Sequence, residues 1–197
     1  MSRAPLGKIT ACVYRLTRRF MRRQDGSAAV EFSIVALPFL ALIFAIMETA
    51  LVFFAGQTLE TAVADASRLI MTGQAQNQGW SQDDFKTAVC AQLNGGLFDC
   101  ANKVLVDVRT YNSFSAVTND TTTPTTNNQL DPTKASYSPG IPGSLEVVRL
   151  YYQWPIYVSL LGYDLSNMGS GTRMLLATAV FCNEPFSTQS PATSCKP

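Results

Sequence analysis

The sequence predicts an α+β protein: one long N-terminal helix, transmembrane and then amphipathic, followed by a small head with a short helix and an antiparallel sheet of about three strands. Three observations carry this. From Phe32 to Phe54 the only charge is Glu48. Beyond that run, Leu59, Val63, Ala66 and Ile70 recur at spacings of four, three and four, which places them on one helical face. Downstream, Lys103–Tyr111 alternates apolar and polar residues, and two further segments, Ser144–Ile156 and Met174–Phe186, read as strands.

The apolar run follows a basic flank. Before Gly26 there are seven cations and one acid; after it, eight cations face thirteen acids. Cations before an apolar span predict that residues 1–26 stay in the cytoplasm and that the rest is exported. The span itself, about 32–55, is long enough for a bilayer core at 1.5 Å per residue. Pro38 removes one helical hydrogen bond, a loss that membrane helices tolerate better than soluble ones. An extension over 56–72 continues the helix, and Gly73 is a plausible stop. The two acids in this region demand an account. A charge at a membrane helix centre costs roughly 2.5–3.5 kcal/mol on insertion scales, so Glu31 and Glu48 are intramembrane polar residues with a presumption of function.

Residues 73–197 make up the head. Ser81 with Asp84 resembles a capping box at the start of a helix, and Asp83 and Asp84 suit its positive end. Capping explains that acidic pair more cheaply than catalysis or metal binding. Phe85, Ala88, Val89 and Leu93 form the helix's apolar face, and Asn94-Gly95-Gly96 ends it. In the strand at 103–111, Val104, Val106 and Val108 point one way and Leu105, Asp107 and Arg109 the other, which predicts one buried face. Of the 33 residues from Asn112 to Ser144, 20 are Ser, Thr, Asn or Pro. Such a segment is expected to be a flexible loop. The apolar face of a small sheet needs a cover, and the upper long helix and the Ser81 helix are the candidates.

Five cysteines divide unevenly. Cys12 lies in the basic flank and is expected to stay reduced. Cys90, Cys100, Cys182 and Cys195 lie in the exported part, where two disulfides are expected. Four cysteines allow three connectivities, and the short-range one, Cys90–Cys100 with Cys182–Cys195, is preferred.

The chain contains no histidine. A Ser-His-Asp or Cys-His mechanism is therefore excluded within it, and no phosphate loop, Cys-x-x-Cys pair or Gly-x-Ser-x-Gly elbow occurs. No enzyme, cofactor, metal, small-molecule substrate or nucleic-acid partner is expected.

Gly26, Glu31 five residues later and an apolar helix at once resemble the class III signal of type IV pilins and pseudopilins. In finer detail, the arginine-rich stretch, Gly26, Val30-Glu31-Phe32, Leu37-Pro38 and Glu48 resemble the start of TadE-like proteins of the tight-adherence (Flp, type IVb) pilus system. The ending Ala177–Phe186, "ATAVFCNEPF", is similar to that family's last strand, which often finishes in Asn-Glu-Pro. The resemblance covers residues 18–72 and part of the last strand; the Thr/Asn-rich loop and the cysteines fall outside it. It implies a pseudopilin or minor pilin in the bacterial inner membrane, with its head in the periplasm. A prepilin peptidase would cut after Gly26 and leave Ser27 as the first residue, whose amine Glu31 of a neighbouring subunit would pair. Other pilins, pseudopilins and Tad assembly proteins are the implied partners.

Two readings compete. An ordinary secreted protein would use Ala62-Val63-Ala64 as a signal cleavage pattern and begin at Asp65. A single-pass anchored binding protein would use Tyr151, Tyr152, Trp154 and Tyr157 as a recognition patch, although sheet core is the commoner use of such a cluster.

Overall fold

The computed structural model describes residues 27–93, 98–157, 164–187 and 192–195. The basic flank with Cys12 and Gly26, and the Asn94-Gly95-Gly96 stop, lie outside the described residues. Two compact units divide the chain, residues 1–47 and 48–197. The first long helix, α1, spans Ser27–Met71 and contributes to both.

In the first unit α1 is bare. Phe32, Leu37, Phe39, Leu42, Phe44 and Met47 all stand at least half exposed. Ser33 Oγ donates to the Ala29 carbonyl at 2.7 Å, a polar group satisfied within its own turn. Among the described residues α1 is the one helix long and apolar enough to cross a membrane, and only 6% of its most apolar window is buried. The core helix of a soluble protein would be covered over that length.

The second unit is an α+β head. After α1 come α2 (Gln74–Asn77), α3 (Gln82–Gln92), α4 (Cys100–Lys103), β1 (Val104–Tyr111), α5 (Phe114–Asn119), β2 (Thr125–Thr126), β3 (Gln129–Leu130), β4 (Leu145–Pro155) and β5 (Thr172–Cys182). The main sheet is antiparallel in the order β1-β4-β5, and β2 pairs with β3 in a small hairpin. The last strand starts two residues before the segment read from the sequence and stops at Cys182, so "NEPF" lies outside it.

Register explains the core. Val106 faces Leu150, which faces Ala177; Val104 faces Tyr152, which faces Leu175. These residues share one face and pack with Val52, Ala55, Leu59, Ala62, Ala66 and Ile70 of α1 and with Phe85 and Val89 of α3. Each fully buried large side chain contributes roughly 1.5–3 kcal/mol relative to exposure. The face of α1 predicted from its spacing is thus the face that is buried, extended back to Val52. Ser81 caps α3 as expected: its Oγ accepts from Asp84 N–H, and the Asp84 carboxylate accepts from Ser81 N–H at 2.9 Å. Gly73 ends α1 at φ 76°, where a Cβ would collide with the Phe186 ring.

Two expectations need amending. β1 buries both faces over most of its length, not one. Asp107 and Arg149 face each other across the outer side of the sheet and are buried there. The cover is the segment expected to be a loop. Residues 112–144 hold α5, the β2–β3 hairpin and a 3-10 turn at Pro132–Lys134. Val108 N–H donates to Ser136 O at 2.8 Å, and Ser138 N–H donates to Val108 O at 2.9 Å, so the segment lines the outer edge of β1. Polar composition prevented an apolar core, but not hydrogen bonding to a sheet edge and to ions.

Candidate functional site

The structure does not gather the residues singled out by the sequence into one site: Ser27, Glu31 and Glu48 are spread along α1, and the four described cysteines lie in the head. Glu31 lies in the second turn of α1 and is exposed. Ser27 is the first residue of α1. Gly26 lies outside the described residues.

Glu48 is 6% exposed. Its Oε1 accepts a hydrogen bond from the Tyr157 backbone N–H at 2.5 Å, 109 residues away. This acid therefore ties the end of β4 to α1. The apolar run around Glu48 hid this role, because nothing in the local sequence names a partner so distant.

At the other end of the head, "CNEPF" closes the fold. Glu184 N–H donates to the Met71 carbonyl at 2.9 Å, satisfying one of the orphan acceptors at the end of α1. Asn183 Nδ2 donates to the carbonyls of Pro139 at 3.0 Å and Ile141 at 3.2 Å. Phe186 packs on Gly73. The Asn-Glu-Pro ending thus locks the last strand to the helix and to the loop before β4.

That loop also surrounds Glu146. The side chain is fully buried, with Ser144 Oγ 2.6 Å from Oε1 and Thr110 Oγ1 donating to Oε2 at 3.1 Å. Burial pushes its carboxyl up to about 7, against the pull of those two hydroxyls. Gly140, at φ 68°, passes so close that a Cβ would strike the carboxylate. The strand pattern did not flag this acid, since it stands among apolar residues of β4.

The outer face of the sheet holds an ionic cluster. Arg149 Nη1 lies 3.0 Å from Asp120 Oδ2 and 3.7 Å from Asp107 Oδ2, and Arg109 Nε lies 3.0 Å from Asp107 Oδ2. Tyr111 donates to Asp120. Burial alone would raise the Asp120 carboxyl, but hydrogen bonds from Thr122, Tyr111 and Arg149 hold it well below the usual carboxylate range. The cluster fastens residues 112–144 to the sheet. No reacting groups are aligned in it.

The cysteines pair as Cys90–Cys100 and Cys182–Cys195, with Cα atoms 5.6 and 6.0 Å apart. One ties α3 to α4; the other ties the end of β5 to the C-terminal segment. Tyr151, Tyr152 and Trp154 are buried, so they form no recognition patch, whereas Tyr157 is 81% exposed. A groove of about 280 Å³ lies between α1 at Thr49–Glu60 and β5 at Arg173–Leu175. Among the described residues no group of three or more His, Cys, Asp or Glu stands where it could hold a metal ion.

Residues 26–68 match the family model of the TadE-like proteins. The match begins at Gly26 and covers most of α1; the arginine-rich stretch before Gly26 and the last strand, which the resemblance also takes in, lie outside it. No curated protein matches the chain, and no solved structure does.

Proposed function

We propose that this chain is a membrane-anchored, pseudopilin-like subunit that supports assembly of a tight-adherence pilus. The observation that carries the proposal is the TadE-like match from Gly26 to Arg68, laid over a helix whose first half is apolar and bare. TadE-like proteins are structural pilus components, and the reading requires no catalysis. In it, the basic flank stays in the cytoplasm, the head lies in the periplasm and the anchor sits in the inner membrane. A prepilin peptidase cuts after Gly26, and Glu31 pairs with the new amine of a neighbouring Ser27. Pairing offsets the desolvation of both charges and sets the axial register between subunits, since a slipped register leaves a charge alone in lipid.

The packing of the head argues against the secreted alternative. A chain beginning at Asp65 would lack Val52, Ala55, Leu59 and Ala62, all buried in the core. It would also lack Glu48, which holds the end of β4.

Mass spectrometry of the membrane-extracted protein tests the proposal through its N-terminus. A start at Ser27 is expected, together with loss of pilus assembly in Glu31→Ala at unchanged membrane content. A start at Asp65, or an intact leader, would overturn it.

A further inference from the structure

We propose that the end of the head formed by Leu51, Phe53, Phe54 and Tyr157 lies in the headgroup layer of the bilayer. The inference rests on the membrane anchor of the reading above and goes beyond it by assigning a lipid-contacting surface to the head itself.

From Ala28 to Met47 no large side chain is buried, and these twenty residues span about 30 Å as a helix, the thickness of a hydrocarbon core. The next residue, Glu48, is the first in α1 to be buried. Its carboxylate is met by the Tyr157 backbone N–H, so the end of β4 stands at the level of the helix where the bare run stops.

What the head exposes just beyond that level is aromatic and apolar. Leu51 and Phe54 are exposed, Phe53 is 71% exposed and Tyr157 81%. Past Gly56 the exposed side of α1 changes character, to Gln57, Glu60, Thr61, Asp65 and Arg68. Tyrosine, with an apolar ring and a polar tip, suits the boundary between hydrocarbon and water, and phenylalanine suits its apolar side. Three exposed aromatic rings within two turns of the end of a bilayer-length apolar run therefore fit lipid as their partner. The clamp is made through the Tyr157 backbone, so it fixes the height of residue 157 whatever side chain that residue carries.

Nitroxide labelling tests this on the full chain, reconstituted in phosphatidylethanolamine–phosphatidylglycerol vesicles in a Cys12→Ser background. Labels go at Tyr157→Cys, at Phe39→Cys within the bare run, and at Phe114→Cys on α5 as the aqueous reference. The readout is accessibility to oxygen, which partitions into lipid, against a water-soluble nickel chelate. The oxygen-to-nickel ratio at 157 should be several-fold above that at 114 and below that at 39. A ratio at 157 equal to that at 114 overturns the inference while leaving the anchor intact. Shielding of 157 from both reagents also overturns it, since protein and not lipid would then cover the rim. An aqueous reading at 39 overturns the anchor reading itself.

Discussion

The two halves of α1 are built from one continuous helix and obey different rules. Residues up to Met47 turn apolar side chains in every direction and bury almost none of them. From Glu48 onward one stripe, Val52 to Ile70, is buried, and from Gln57 the opposite side is polar. Water would penalise the first half and lipid would penalise much of the second. The same secondary structure is thus suited to lipid in one half and held by tertiary packing in the other. Glu48 stands at the change of rule, and its hydrogen bond runs to the head.

Substitutions can break or sharpen this contrast. The largest effect is expected from paired truncations. Leu59→Ala opens a cavity in the core and should cost the head about 2–5 kcal/mol. Leu40→Ala, in the bare half, should leave head stability within about 0.5 kcal/mol. Urea unfolding followed by the fluorescence of Trp80 and Trp154 checks both; equal losses would remove the contrast.

A second effect belongs to the head alone. Glu146 has its usual value at 4.5 and is pushed up to about 7 by burial. Between those values the unfolded chain has released its proton while the fold still holds it. Stability from this group is therefore complete below pH 4.5 and falls as pH rises through 7. The loss is at most about 3 kcal/mol at 1.36 kcal/mol per unit. Glu146→Gln should flatten that slope, measured as unfolding midpoints across the same pH window. The Asp120 cluster acts in the opposite sense, at lower pH, where protonation of that carboxylate loosens residues 112–144.

The smallest effect is expected at the cap of α3. Asp84→Ala removes one half of the capping box and should loosen only the first turn of α3. Amide exchange at the first turn of α3 should rise, with exchange in the bare half of α1 unchanged.

Much of the fold was legible because its signals are local. The apolar run, the stripe from Leu59 to Ile70, the Ser81 cap and three strands each show their period or their cap within a short window. The short-range cysteine pairing is the one that spacing along the chain favours. What escaped were the partners of isolated polar groups. Glu48 and Tyr157 are 109 residues apart, and Asp107 meets Arg149 and Asp120 only once β1 and β4 align and residues 112–144 fold over them. The composition of that segment marks a loop, yet its backbone finds donors and acceptors at the edge of β1.

By itself the sequence determined the length and apolarity of α1, the asymmetry of charge around it, and the three strands of the main sheet, but not the β2–β3 hairpin. These follow from side-chain hydrophobicity and backbone period, which act over a few residues. Tertiary structure alone decided that Glu48 is a clamp, that "CNEPF" closes the end of α1, that Glu146 is held in a buried pocket and that Tyr157 is left exposed beside the apolar run. Each of these depends on which distant backbone or side chain comes within hydrogen-bonding reach, and that is set only when the sheet packs against the helix.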